Sequence, residues 1–385
     1  VMMFKALFIG YLFGVRSERQ LVREIEVNVA YRWFLQLKLT DKVFDASTLS
    51  QNRRRRYHDA SVAQDIFDEI VEQAIRHGLV DGKVLYTDST HLKVAKSRAA
   101  YWDDLDLAIE EDRTAHAKKP LKAKERQPVE KETKISRTDP DSGYMVRDGK
   151  PKGFFYLDHR TVDGKLGIIT DSYATPANLH DSIPYLDRLD RQRQRFDLDV
   201  IAVGLDAGYA TAAIAKGLED RDILGVTGYR RPNLREGYIP KRKYVYDPER
   251  DAYRCPEGQL LSYATTDRNG YRHYHSDPEK CRTCPVLASC TANAHQRKTV
   301  TRHVWQDARD RADAYRLTEW GKRVYKRRKE TVERSFADAK QLHGHRYARF
   351  RGLINVKCQC LLAAAAQNIK KIALALGPKG PIAEA

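Results

Sequence analysis

The chain has 385 residues, and its 69 lysines and arginines against 52 aspartates and glutamates give a formal charge of +17 at pH 7. This length can bury a sizeable core, and the positive surplus favours a polyanionic partner, first nucleic acid and then an anionic membrane surface. The most apolar run, residues 1–15, is shorter than the roughly 20 residues that span a bilayer and lacks the marks of a signal peptide. We therefore expect a cytoplasmic, nucleoid-associated protein with no membrane partner. Because a helical pattern is already under way at Val1, we also expect that an N-terminal segment is missing.

Residues 1–80 carry helical patterns and predict a small all-α domain, which we expect to bind DNA because it contains a run of four arginines in a strongly basic chain. In the segment 17–37, apolar residues recur at i, i+4 spacing, and Ser17 is suited to cap that helix. The members of this stripe are Leu21, Ile25, Val29, Trp33 and Leu37. A later helix over 62–78 ends at Gly78, since glycine readily adopts the left-handed conformation that ends helices.

From residue 81 the pattern changes to strands that alternate with helices, which predicts an α/β fold. Short runs of β-branched and aromatic residues indicate five strands, two of which form a hairpin around the turn at 162–165. The predicted strands are 83–90, two within 153–175, 198–209 and 223–229, with helices at about 180–195 and 211–219. This order fits one mixed five-stranded sheet flanked by helices.

Two segments of different composition interrupt this order. Residues 103–150 are basic and contain few large apolar residues, so we expect a mobile excursion. Residues 232–305 contain short aromatic runs and four of the six cysteines. The expected division is a helical N-terminal domain over 1–80, the first part of the α/β domain over 81–231, a cysteine-bearing insertion over 232–305, a glutamate-bearing helix and a C-terminal helix over 306–376, and a tail over 377–385.

Two of the predicted strands end in aspartates that the strand order would bring together. Asp88 ends the first strand in YTDST, and Asp206 ends the fourth in GLDAGYA. If the first strand starts a meander and the fourth follows a crossover helix, these strands lie side by side. Two carboxylates held that close repel each other unless a proton or a cation lies between them, and oxygen ligands suit Mg²⁺ or Mn²⁺. Each aspartate alone is also typical of a turn or a cap.

The segment 326–340 predicts a helix that supplies a third carboxylate. At 100° per residue it has a short buried stripe, which consists of Val332, Phe336 and Ala339. Glu333 lies at the edge of this stripe, whereas Glu330 lies about 60° further towards solvent. Lys329 and Lys340 share the face of Glu333, where they would keep it ionised and contact phosphate. The same spacing also fits an ordinary surface helix with Lys and Glu pairs.

Taken in order, three stretches resemble the acidic motifs of bacterial insertion-sequence transposases with an RNase H-like, DDE-type catalytic domain. They are the strand YTDST, the strand GLDAGYA and the helix ETVERSFADAK. The branch that the chain resembles carries a helical N-terminal domain and a cysteine-bearing insertion before the glutamate helix. The resemblance extends to NLHDS at 178–182, RYARFRGL at 346–353 and the final alanine-rich helix with QNIKK.

The resemblance implies that Asp88, Asp206 and Glu333 hold two Mg²⁺ or Mn²⁺ ions for displacement at phosphodiester bonds. It implies that the ends of an insertion sequence are cut and then joined to target DNA, with the protein acting as a homodimer or a larger assembly on DNA. Two alternatives remain open. One is an RNase H-like nuclease that cuts without joining, and the other is a zinc-stapled DNA-binding remnant without activity.

Related enzymes carry the signature Tyr-x2-Arg-x3-Glu-x6-Lys around the glutamate, and this sequence departs from it. Lys340 fits the last position, but Lys329 stands where the arginine is expected. Lys326 stands at the tyrosine position, with Tyr325 one residue early. Lysine lacks the planar guanidinium with which arginine binds phosphate through two hydrogen bonds. The signature therefore does not decide which residues position the DNA end.

Four cysteines lie within one segment at the spacing C-x25-C-x2-C-x5-C, and they are Cys255, Cys281, Cys284 and Cys290. Four thiolates complete a tetrahedral zinc shell, so we expect structural Zn²⁺, with free thiols as the alternative. The candidate substitute ligands are His273, His275 and His295. Cys358 and Cys360, two apart on a helix, are expected to be core residues.

The remaining candidates are basic residues and histidines. For phosphate contact we predict Arg53, Arg54, Arg55 and Arg56, together with Arg230 and Arg231 after the last strand. A solvated helix face is the alternative for the run of four arginines. His159 and His180 are expected to be hydrogen-bonded structural residues, because a two-metal site needs no acid or base from histidine.

Overall fold

The computed structural model describes residues 1–56, 60–91, 102–121, 134–145, 152–229 and 235–377. The helices of the N-terminal part are α1 (Met2–Leu12), α2 (Glu18–Val27), α3 (Val29–Leu35), α4 (Ala46–Arg56) and α5 (Ser61–Arg76). The middle of the chain contributes α6 (Trp102–Ala115), α7 (Tyr185–Phe196), α8 (Ala212–Glu219), α9 (Pro278–Arg282) and α10 (Leu287–Cys290). The last helices are α11 (Gln306–Leu317), α12 (Glu319–Arg327), α13 (Arg334–Gln341) and α14 (Leu353–Leu376).

The N-terminal part is helical, as predicted, but the helix predicted over residues 17–37 is divided at Asn28. The Oδ1 atom of Asn28 accepts hydrogen bonds from the backbone N–H groups of Ala30 and Tyr31, at 2.9 and 3.2 Å, and so begins a new helix, α3. The buried stripe therefore stops early, and Val29 and Trp33 are 64% and 77% exposed. The prediction of one continuous helix is wrong, because a cap inside the pattern outweighs its periodicity.

The first sheet is mixed and has the strand order β4-β3-β1-β5-β6. Its strands are β1 (Val84–His91), β2 (Gly143–Met145), β3 (Gly153–Asp163), β4 (Ile169–Pro176), β5 (Ala202–Leu205) and β6 (Leu224–Thr227). Strands β1, β3 and β4 form an antiparallel meander, while β5 and β6 run parallel to β1. The predicted mixed sheet is confirmed, with a sixth strand, β2, paired to the first residues of β3.

The N-terminal helices and this sheet share one hydrophobic core. Helix α14 packs against β4 on the sheet and against α5 and α1 in the helical part. The same cluster of buried side chains includes Leu7 of α1, Phe67 of α5, Val203 of β5 and Leu362 of α14. Burial of apolar surface thus couples the first helices to the sheet. No helix in the described ranges is long and apolar enough to cross a membrane.

A second sheet, antiparallel throughout, follows the first in the chain, with the order β11-β10-β9-β8-β7. Its strands are β7 (Val245–Asp247), β8 (Ala252–Arg254), β9 (Leu260–Thr266), β10 (Tyr271–Ser276) and β11 (Thr299–His303). Helix α6 docks on this sheet, where Asp112 accepts a hydrogen bond of 2.6 Å from Arg272 and Arg113 donates one of 2.8 Å to the Thr266 carbonyl. The expectation of a mobile excursion is therefore wrong for α6 and β2.

Candidate active site

Two neighbouring strands bring Asp88 and Asp206 to the same edge of the first sheet. Asp88 lies on β1, and Asp206 directly follows β5, which is parallel to β1 and paired with it. In their register Thr87 lies opposite Leu205, so the next residues along the two strands are the aspartates. The predicted strand neighbourhood is therefore confirmed, and the two carboxylates lie close enough for Asp206 to affect the pKa of Asp88.

Backbone groups hold one oxygen of each aspartate. Asp206 caps a short 3-10 helix, where its Oδ1 accepts a hydrogen bond of 2.8 Å from the N–H group of Gly208. The Oδ1 atom of Asp88 accepts a hydrogen bond of 2.8 Å from the N–H group of Ser89. These contacts orient both carboxylates without neutralising their charge.

Gly204, two residues before Asp206, keeps the strand free of a side chain where two neighbours pack. A Cβ atom at this position would lie 2.7 Å from the ring of Tyr86 and 3.5 Å from Cγ of Arg328. The glycine in the GLDAGYA stretch is thus explained by close approach of these side chains to the sheet.

Glu333 comes from a π-helical turn, Lys329–Glu333, between α12 and α13. The N–H group of Glu333 donates to the carbonyl of Arg328, five residues earlier, at 3.1 Å. Val332, Phe336 and Ala339 form the predicted buried stripe, at 0%, 6% and 0% exposure. The turn holds one residue more than an α-helical turn, and such turns are frequent at functional sites.

Arg328 connects the first carboxylate to the third. Its side chain is 4% exposed, its Nη2 lies 2.7 Å from Oδ2 of Asp88, and its Nη1 lies 3.7 Å from Oε1 of Glu333. Glu333 is 46% exposed, and Glu330 and Lys329 face solvent. Arg328, not Lys329, therefore contacts the carboxylates.

The sequence contains a signal for this arginine in the spacing between Tyr325 and Arg328. Tyr325 and Arg328 keep the Tyr-x2-Arg spacing of the signature, and the extra residue between Arg328 and Glu333 is taken up by the π-helical turn. The guanidinium lies 5.6 Å from the centre of the Tyr325 ring. The spacing of the signature, counted back from Glu333, instead falls on Lys329 and Lys326, one residue after Arg328 and Tyr325.

A fourth carboxylate, that of Asp181, lies near the aspartates. Burial raises the pKa of Asp88 to about 6, Arg328 acts in the opposite direction, and Asp206 and Asp181 raise the pKa further. Burial, and then Asp181, also raises the pKa of the fully buried Tyr209 well above its usual range. Asp181 belongs to the NLHDS stretch, which is part of the resemblance but contains none of the residues predicted for the carboxylate site. The result is a negative cluster with one buried cation.

The carboxylates suit a divalent cation by their chemistry, but Arg328 stands between two of them. Among the described residues, the only three potential ligands with donor atoms all within 4.8 Å of one another are Asp158, His345 and Cys360. Asp88, Asp206 and Glu333 do not meet that spacing. Since the guanidinium separates Asp88 from Glu333, all three can hold ions together only after Arg328 or Glu333 has moved.

The cluster of Asp158, His345 and Cys360 is a buried polar network behind the site. Asp158 accepts hydrogen bonds from Arg160 at 2.8 Å and from His345 at 2.9 Å. Burial alone would raise the pKa of Asp158, but Arg160 and His345 together hold it below its usual range. Arg160 also donates to Ser335 on α13, at 3.3 Å. A guanidinium bonded to the carboxylate opposes a metal there, so the network supports the glutamate helix instead.

The four cysteines of the segment 232–305 line one small cavity of about 20 Å³, close to the size of one water molecule. The sulfur of Cys255 accepts from the N–H group of Gln259 at 3.3 Å, and the sulfur of Cys290 lies 3.1 Å from the Tyr244 hydroxyl. None of the described residues that line the cavity is a histidine, so the structure offers no support for His273, His275 or His295 as ligands.

The predicted phosphate-binding arginines differ in their surroundings. Arg53 pairs with Glu18 at 3.0 Å, and its guanidinium lies 3.8 Å from the centre of the Phe350 ring, so it stabilises the fold. Arg54 and Arg55 are exposed. The side chain of Arg56, and Arg230 and Arg231, lie outside the described residues.

The other residues singled out from the sequence have structural surroundings. Lys340 lies 5.9 Å from the centre of the Phe336 ring on its own helix. The histidines are hydrogen-bonded as predicted: His159 contacts the Thr175 hydroxyl and His180 the Ser182 hydroxyl, each at 2.7 Å. Both cysteines of α14 are buried, as predicted, and they are Cys358 and Cys360.

Two family models match parts of the chain. One, described as a transposase DDE domain, matches residues 254–373, which include Glu333. The other, described as the transposase domain DUF772, matches residues 1–55, the first four helices apart from the last residue of α4. Asp88 and Asp206 lie between the two matches. No curated protein matches the chain.

We expect Asp88 to make the metal-free protein less stable as the pH rises from about 4 to about 6. The folded state binds this proton with a pKa of about 6 instead of 3.8, so ionisation in that window favours the unfolded chain. A shift of about two units corresponds to at most roughly 3 kcal/mol. Urea unfolding in EDTA, at several pH values, should show Asp88→Asn gaining stability relative to the unchanged protein as the pH rises. Parallel pH profiles would contradict the raised pKa.

Proposed function

We propose that this chain, which belongs to the insertion-sequence transposases with a DDE domain, cuts DNA at the ends of its element and joins the cut strands to target DNA. The observation that carries the proposal is the contact of Arg328 with both Asp88 and Glu333, at 2.7 and 3.7 Å, beside the neighbouring strand end that Asp206 follows. The strand order β4-β3-β1-β5-β6 supports an RNase H-like assignment for the sheet, whose parallel strands carry the aspartates.

In this proposal Asp88, Asp206 and Glu333 hold two Mg²⁺ or Mn²⁺ ions. When bound, such ions activate the attacking oxygen and stabilise the leaving oxygen of a phosphodiester bond. The chain's own contribution is to fix the two aspartates by backbone N–H groups and to present Glu333 from a buried helix face. The exposed Glu333 carboxylate is free to turn towards the aspartates once Arg328 releases Asp88.

The DNA partner also fits the distribution of exposed charge. Arg54 and Arg55 on α4 and Lys329 beside the glutamate face solvent, and each is suited to a phosphate oxygen. Lys340 lies on the same helix as Glu333, one face of which we propose to approach the DNA backbone. Joining two element ends to one target requires two active sites, which supports a homodimer or larger assembly on DNA.

We expect Glu333→Gln to lower Mg²⁺-dependent cleavage of element ends by roughly a hundredfold or more, because transition-state stabilisation by a metal ion is worth several kcal/mol. Glu330→Gln is the matched control, since it removes the same charge three residues away on an exposed position. Cleavage is measured on labelled DNA carrying the element ends. Full activity of the Glu333 variant, or equal loss in both variants, would refute the role of Glu333.

Strand joining separates a transposase from a nuclease of similar fold. Incubating the protein with element ends and a supercoiled target yields joined products only if a DNA 3′-hydroxyl serves as the attacking group. Cleavage without joined products would favour the nuclease. Binding of the ends without cleavage at any Mg²⁺ concentration would favour an inactive remnant.

We expect Arg328→Gln to raise the affinity of the site for Mn²⁺ by about tenfold at pH 8, because the metal no longer competes with a buried guanidinium for Asp88. A tenfold change corresponds to about 1.4 kcal/mol, a modest share of the repulsion between two cations at close range. Arg327→Gln is the control, because Arg327 donates to the Gly164 carbonyl and contacts neither carboxylate in the described hydrogen bonds. Mn²⁺ binding is measured by electron paramagnetic resonance. Unchanged affinity in the Arg328 variant would contradict competition.

We also propose that the cavity lined by the four cysteines holds a structural Zn²⁺ ion. Its size suits one ion, its sulfurs are soft ligands, and Lys280 and Lys298 at its wall would balance the charge of four thiolates. We expect about one zinc per chain by elemental analysis, reduced in Cys284→Ser and retained in Cys358→Ser, which changes a core cysteine of α14. A protein purified without chelator that contains no zinc would refute this assignment.

A further inference from the structure

A basic cleft of about 750 Å³ lies between the end of the first sheet and the second sheet. Five cationic side chains line it, and they are Arg235, Lys241, Arg242, Arg297 and Lys298. Among the described residues that line the cleft there is no aspartate or glutamate. Tyr229 and Tyr238 add aromatic surface. A concave surface with charges of one sign raises the local concentration of ligands of the other sign.

Three of the five cations of this cleft contact neutral groups. The guanidinium of Arg235 lies 4.2 Å from the centre of the Tyr238 ring. Lys298 donates to the Cys290 carbonyl at 2.7 Å, and Lys241 donates to a backbone carbonyl as well. No ion pair joins any of the five to a carboxylate of the described ranges.

The contrast with neighbouring arginines is direct. Arg302, on the adjacent strand β11, pairs with Asp307 and with Asp310, the latter at 3.2 Å. Arg272 on β10 pairs with Asp112 at 2.6 Å. Carboxylates therefore balance these two arginines of the second sheet, whereas the cleft leaves a charge of about +4 for an anionic ligand if Lys298 is counted with the cysteines.

The cleft begins beside the carboxylate site. Its wall residue Tyr229 follows Gly228, which lies so close to Ala207 that an added Cβ atom would be 2.8 Å from the Ala207 nitrogen. Ala207 in turn follows Asp206. The guanidinium of Arg316 packs against the Tyr229 ring, 5.4 Å from the centre of that ring. A strand whose phosphate lies at the carboxylates can therefore continue directly into the cleft.

We propose that this cleft binds the phosphodiester backbone of the DNA that extends from the bond being cut. The proposal rests on the proposed function for the identity of the polyanion. Phosphate oxygens would be bound by Arg242 and Arg297, which are exposed, while the ring of Tyr238 with its Arg235 partner offers a stacking surface for a base. A pocket of this volume is typical of small ligands, so it takes a few nucleotides of one strand at a time.

The test is the salt dependence of DNA binding by the full chain without divalent metal. Binding of fluorescent duplex and single-stranded oligonucleotides is followed by anisotropy across a range of salt concentrations. The logarithm of the binding constant falls linearly with the logarithm of the salt concentration. We expect R242A/R297A to make this negative slope shallower by about 1.8 for a duplex, or by about 1.4 for a single strand. Each lost phosphate contact removes about 0.9 or 0.7, respectively. The form of DNA that responds identifies which backbone occupies the cleft.

The control is R250A/R282A, which removes two exposed arginines of the same region that do not line the cleft. We expect its slopes to be unchanged, and R242K/R297K to keep the slopes because it keeps the charge. An unchanged slope in R242A/R297A, or an equal decrease in the control, overturns the proposal. Because no strand is cut in this assay, its outcome does not depend on cleavage by the carboxylate site. The proposal for the cleft and the proposal for cleavage at the carboxylates can therefore fail independently of each other.

Discussion

The contact between the Arg328 guanidinium and the Asp88 carboxylate, 2.7 Å apart, is the interaction on which the arrangement of the site depends. Four acidic side chains gather at one sheet edge, and without a cation their mutual repulsion would oppose the folded state. Arg328 provides that cation from within the chain. The same guanidinium sets the direction in which Glu333 approaches, so it stabilises the metal-free protein and also keeps the carboxylates apart.

Arg328 can do this because the helix around it departs from α geometry and is anchored from behind. The π-helical turn brings Arg328 and Glu333 together although five positions separate them. Arg160, fully buried on β3, reaches Ser335 on α13 and Gln367 on α14. Breaking such a buried ionic network typically costs about 3–5 kcal/mol, because it leaves an uncompensated charge. The sheet, the glutamate helix and the last helix are thus held in one geometry.

The sequence predicted those features that follow from local pattern and strand order. The mixed sheet and the neighbourhood of Asp88 and Asp206 follow from alternating strand and helix patterns, and the buried face of α13 follows from periodicity. The roles of Arg328 and Asp181 do not follow from local pattern or strand order. The role of Arg328 depends on a one-residue change of register in its helix, and that of Asp181 depends on a loop that folds back across the chain. The break at Asn28 was missed for a similar reason: a side-chain cap inside a periodic pattern changes the helix direction without changing the period. The docking of the charged helix α6 depends on Arg272, which lies 160 residues away from Asp112.

The contact of α14 with both α1 and α5 has a consequence for the order of folding. The first helix completes its packing against a helix that is synthesised after almost all of the described chain. While the chain is still being made, the early helices expose the apolar surface that α14 later covers, and the aspartates of β1 and β5 lack Glu333. Completion of the carboxylate set and closure of the core therefore both depend on the last helices of the described chain. A chain interrupted before the π-helical turn of Glu333 would therefore hold a partial set of carboxylates on a sheet that α14 has not yet covered.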